Sequence, residues 1–141
     1  MKNIEKYNIG KNGGFKPFFI SEGWQIAQLD YTPEQNIEKL NKLDRHQHTD
    51  EAFFLLKGKV VLISAHYIDE IFEFEVELIE NGNVYNIPQN TWHNIAMEEG
   101  SEVLIVEKAN THISDVQFLF LKENKIKEMK SLVKQAFCKK K

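Results

Sequence analysis

Between Phe72 and Leu78 the chain alternates strictly: Phe72, Phe74, Val76 and Leu78 are apolar, while Glu73, Glu75 and Glu77 are acidic. Successive side chains on a strand point to opposite faces, so this period of two predicts a half-exposed β-strand with one face on a core. Such a strand needs a sheet beside it, and the chain up to residue 121 supplies the pieces. Phe18 to Ile20 and Trp24 to Tyr31 read as strands split by the turn residues Ser21, Glu22 and Gly23. Ala52 to Ile63 is almost continuously apolar, broken by Lys57, Gly58 and Lys59, and predicts two buried antiparallel strands joined by a tight glycine turn. Val84 to Ile87 and Val103 to Val106 add two more, with Asn81-Gly82-Asn83, Pro88 and the loop Glu98-Glu99-Gly100-Ser101 as breaks. Asn36 to Leu43 carries Ile37, Leu40 and Leu43 at helical spacing, but reads equally as a loop.

After Phe118 to Leu121 the period changes. Ile126, Met129, Val133 and Phe137 recur at steps of three and four on a lysine-rich background, which predicts a closing amphipathic helix. The expected organisation is one all-β domain: an arm over 1–14, a barrel over 15–121, and a C-terminal helix with a basic tail over 122–141. At 141 residues and 42% hydrophobic content the chain suffices for one domain with a core and is short for two. Its net charge of -3 comes from 18 basic and 21 acidic residues spread along the chain, which argues against nucleic-acid binding. Cys138 is the only cysteine, so neither an internal disulfide nor a thiolate metal site is expected. The first residues hold no apolar stretch of signal-peptide length, and no segment has the eighteen or so apolar residues of a membrane span. A cytoplasmic protein without membrane association is the expectation.

The candidate chemistry lies in two histidine segments. His46 and His48, one residue apart on an extended stretch, point the same way and can hold one cation from one side; His93, from a distant strand, can close the grip. If the strand is unbroken, His46, His48 and Asp50 share a face while Glu51 points away, so either a bulge turns Glu51 inward or Asp50 is the carboxylate. Without a metal, His46 and His48 would be partly exposed loop residues beside Asp44 and Asp50. His66 and His112 read as surface or strand-end residues outside the site. Trp92 is a candidate pocket residue.

The stretch from His46 to Val106 resembles a cupin domain. His-x-His at 46 and 48 precedes Glu51, and six residues separate Glu51 from Gly58, as in the family's first motif. Gly82, Pro88 and His93 fall at the places of its second motif, whereas Leu40 and Asn90 replace two of its glycines and Met97 its usual asparagine. The resemblance implies a cupin-type double-stranded β-helix, or jelly-roll, barrel with a metal in its mouth, held by His46, His48, Glu51 and His93, with Asp50 as the alternative carboxylate. It also implies a homodimer.

Imidazoles with one carboxylate suit Fe, Mn, Ni or Zn as the divalent ion. The expected function is therefore binding of, or action on, a small polar molecule in the barrel mouth, as a metal-dependent dioxygenase, isomerase or decarboxylase. The alternatives are a metal-free ligand-binding or sensor cupin and a metal-independent sugar isomerase or epimerase.

Overall fold

The computed structural model describes residues 3–10 and 13–139. These contain the strands β1 (Gly14–Ser21), β2 (Trp24–Asp30), β3 (Lys42–Arg45), β4 (Glu51–Lys57), β5 (Val60–Ile68), β6 (Ile71–Leu78), β7 (Tyr85–Ile87), β8 (Trp92–Met97), β9 (Glu102–Glu107) and β10 (Gln117–Phe120). A short helix, α1 (Thr111–Ser114), precedes β10, and α2 (Glu123–Phe137) follows it. Parts of the expected arm and tail, residues 1, 2, 11, 12, 140 and 141, lie outside the described residues.

The strands form two five-stranded sheets, ordered β1-β2-β9-β4-β7 and β10-β3-β8-β5-β6, with all pairs antiparallel. Strand β6 keeps the alternation seen in the sequence, with Phe72, Phe74, Val76 and Leu78 half-buried between exposed glutamates. Residues 36–43 are neither a helix nor a plain loop: a 3-10 turn over Pro33–Gln35 leads through a further turn into β3, which buries Leu43.

The run from Ala52 to Ile63 is not a hairpin. Strand β4 pairs with β7 and β9, whereas β5 pairs with β6 and β8, so the chain crosses from one sheet to the other at Gly58. The continuous apolar signal has a different cause from hairpin pairing. Val60 and Leu62 enter the core between the sheets with Leu29, Phe53, Ile95 and Ile105, while Val61, Ile63 and Ala65 on the other face meet Met129, Val133 and Ala136 of α2. A strand buried on both faces loses its period of two. Helix α2 thus covers the outside of the second sheet and leaves the space between the sheets free at one end, where Leu29, Phe53, Ile95 and Ile105 continue into the wall of a cavity.

Candidate metal centre

The cavity has a volume of about 270 Å3. His46, just beyond the end of β3, Glu51, the first residue of β4, and His93 on β8 meet at its wall. One ligand atom from each lies within 4.8 Å of the others. His46 Nε2 is 2.6 Å from Glu51 Oε2, and His93 Nε2 is 3.7 Å from the same oxygen.

Hydrogen bonds on the far side of each ring fix which atoms face inward. Nδ1 of His46 lies 2.7 Å from the Asp115 carbonyl, and Nδ1 of His93 lies 2.9 Å from the Thr91 carbonyl. A carbonyl only accepts, so both Nδ1 atoms carry a proton and each ring turns its Nε2 towards Glu51, where it offers a lone pair once the ring is neutral. Oε2 of Glu51 is buried, with His46 Nε2 as its near charged partner. Two buried ring nitrogens and a buried carboxylate oxygen this close need something positive among them, either a proton on His46 Nε2 or a metal ion that takes its place. The donor set of two imidazoles and one carboxylate therefore fits a divalent transition metal.

The charges respond accordingly. Burial pushes the His46 ring down, but the Glu51 carboxylate outweighs it and, with the Asp115 carbonyl and Glu107, raises it to about 9. Burial opposes the charge on Glu51, yet the two histidine rings hold it below the ordinary carboxylate range. Burial and the neighbouring Glu51 raise Glu107 to about 8. Asp44, facing His93 across β3 and β8, is raised by burial.

Three expected site residues lie elsewhere. The side chain of His48 is 73% exposed, with Nδ1 3.5 Å from Asp115 Oδ1. Residues 46–50 do not continue a strand; Asp115 accepts from the backbone N–H groups of Gln47 and His48, both at 2.9 Å, and turns the segment so that the two rings part. Asp50 accepts from Asn86 Nδ2 at 3.1 Å and from the Gln89 N–H at 3.0 Å, which holds it on the outside. The break, rather than a bulge within a strand, lets Glu51 face inward. Trp92 neighbours His93 on β8 and points to the opposite face, where Arg45 stacks 4.4 Å from its ring centroid.

Other residues enter the site unexpectedly. His112, read as peripheral, lines the cavity beside Phe15 and lies 3.3 Å from Gln25 Nε2. Glu107 is buried as the cross-strand partner of both Glu51 and Gln25, and Gln25 Nε2 donates to it at 3.0 Å. Extending the strand read at Val103–Val106 by one residue would have found it, since Val103, Ile105 and Glu107 share one face. Asn90 adopts the left-handed conformation (φ 64°) and donates its N–H to the His46 carbonyl at 2.7 Å, tying the two histidine segments together.

No protein-family profile matches the chain, and no curated protein matches it in sequence. Solved structures do. An RmlC-like cupin family protein with a double-stranded β-helix fold from Methanocaldococcus jannaschii is 14% identical, over 77% of this chain and 93% of that one, with a TM-score of 0.51. A Bacillus halodurans protein is 14% identical over 70% and 71% of the two chains, at a TM-score of 0.52. The capsular polysaccharide assembling protein CapF from Staphylococcus aureus is 18% identical over 83% of this chain but only 34% of its own, at a TM-score of 0.52. The described residues contain no helix long and apolar enough to cross a membrane. Two antiparallel sheets, a closing helix and these structural likenesses together give the chain the fold of a small cupin, a double-stranded β-helix.

Proposed function

We propose that this protein is a metal-dependent enzyme acting on a small molecule, with His46, Glu51 and His93 as the ligands of one divalent transition metal. The convergence of two Nε2 atoms on the buried Glu51 Oε2 carries this reading. Two histidines and one carboxylate are the donor set of non-haem Fe(II) oxygenases, so an oxygen-dependent reaction is the first assignment, ahead of isomerisation or decarboxylation. Such an ion supplies positions for dioxygen and substrate and the electrons to activate them. The chain does the rest. Asp115 and Thr91 fix the ring orientations, Leu29, Phe53 and Ile105 exclude water, and Glu107 holds a proton near neutral pH beside the reacting space.

Elemental analysis of the untagged protein should find about one transition-metal ion per chain. After anaerobic loading with Fe(II), nitric oxide, a dioxygen surrogate, should give the spectroscopic signature of binding to open coordination positions. A protein that takes up no stoichiometric metal under saturating conditions ends the proposal.

Loading should also depend on pH. A metal must displace the proton that His46 holds up to about 9. Each such proton released steepens affinity by about ten-fold per pH unit. Affinity is therefore expected to rise with pH throughout the range below about 9 and then level off. A competition titration against a chelator of known pH dependence measures this; a flat profile would show that no such proton is displaced.

A second reading rests on Glu107. A buried carboxyl raised to about 8 beside a histidine–glutamate pair is also the equipment of a metal-independent isomerase or epimerase. Turnover that survives complete chelation would select it.

A further inference from the structure

The cavity wall mixes three carboxyl groups with three histidines, His46, His93 and His112. Among its lining residues are three carboxylates, Asp44, Glu51 and Glu107, and no lysine or arginine. Glu51 is spent on the metal and Glu107 is held by Gln25. Asp44 is different: its Oδ1 is buried and has no hydrogen-bond partner among the described residues. Lys42, two residues away on β3, forms no salt bridge with it. Its ammonium lies 4.2 Å from the Phe118 ring centroid, and it lines an adjoining groove that Asp44 also borders, not the cavity itself.

The neighbouring amides are partly engaged. Asn94 is used at both ends, donating to the Lys42 carbonyl at 2.8 Å and accepting from the Ile95 N–H at 2.7 Å. Gln35 donates to the Ile95 carbonyl at 3.3 Å, which leaves its Oε1 as an acceptor. Each amide keeps one further N–H, and the carboxyl group at this end of the cavity is that of Asp44. A carboxylate or phosphate on the ligand would be repelled by an ionised Asp44, whereas an ammonium pairs with that carboxylate in a charge-assisted bond.

We propose that the cavity selects a small primary amine, its ammonium bound by Asp44 and its apolar body packed on Leu29, Phe53 and Ile105. The assignment rests on the metal reading above for where the rest of the ligand reacts. The small volume of the cavity, about 270 Å3, admits a compact molecule only.

The test uses n-pentylamine, 1-pentanol and pentanoate at pH 7, where the amine is protonated, titrated into Zn(II)-loaded protein and followed by NMR. Pentylammonium is expected to shift the Asp44 carboxyl carbon, and Asp44→Asn is expected to weaken its binding about 10- to 100-fold while leaving pentanoate unchanged or strengthening it. Pentanol binding as tightly as pentylammonium, or Asp44→Asn weakening amine and carboxylate alike, overturns the proposal. Should the variant not fold, the carboxyl-carbon shift in the parent protein decides: no movement with amine defeats it. If the protein takes up no zinc, the same titrations on metal-free protein separate the two claims. Amine binding that depends on Asp44 there upholds the ligand class while the metal reading falls, and stoichiometric metal with Asp44-independent amine binding does the reverse.

Discussion

Glu51→Gln and His93→Ala are each expected to reduce divalent-metal affinity by more than about 100-fold, while His48→Ala leaves both affinity and stoichiometry at the parent level. Glutamine preserves the shape of Glu51 and removes the charge that makes Oε2 a ligand, so the loss is electronic rather than steric. Alanine at 93 deletes a buried nitrogen donor whose far side is already fixed by the Thr91 carbonyl. The exposed His48 ring has neither property: its nearest charged partner is Asp115 at 3.5 Å, outside the cavity. Equilibrium competition with a chromophoric chelator reads all three variants. Complete loss of metal in His48→Ala would put that ring among the ligands and end the three-ligand assignment; full retention in Glu51→Gln would end the role of the carboxylate.

The contrast between His46 and His48 shows where sequence reasoning runs out. The resemblance to the cupin motifs implied that Glu51 and His93 share a site, through their spacings to Gly58 and Pro88, and left Asp50 open as the alternative carboxylate. The direction of His48 was not legible, because it depends on Asp115, some seventy positions away, accepting the backbone N–H groups of Gln47 and His48. A pairing of this kind breaks the local period of two with no mark on the local sequence. Strand β6 was readable from its alternation, since one of its faces is solvated, and α2 from its three- and four-residue steps. Strand β5 was recognisable as buried but not by its partners, because a strand covered on both sides keeps no periodic trace of which sheet it joins. Glu107 was hidden for a related reason. Glu107 shares a face with Val103 and Ile105, but its meeting with Gln25 and Glu51 depends on the register of β2, β4 and β9.

Gly58→Ala is expected to cost about 2–5 kcal/mol of stability, the sum of ~1–2 for a β-carbon in left-handed backbone and ~1–3 for overpacking. Gly58 has φ +88°, and a β-carbon built on it would lie 2.3 Å from Ser101 Oγ and 2.8 Å from Ser101 Cα. Ser101 has little freedom to retreat. Its hydroxyl accepts from the Lys59 N–H at 3.0 Å and donates to the Lys59 carbonyl at 2.9 Å, while its own carbonyl accepts from the Tyr31 N–H at 3.0 Å. These bonds fasten the β4–β5 crossing to the loop between β8 and β9, so the clash falls on the point where the chain changes sheets. Gly82→Ala is the control: Gly82 has φ +91° but nothing within 4 Å of its would-be β-carbon, so only the backbone component should appear. Urea denaturation of the two variants, compared at equal m-value, isolates the steric part as the difference between them. Equal destabilisation would show that the crossing yields without cost and that Ser101 does not brace it.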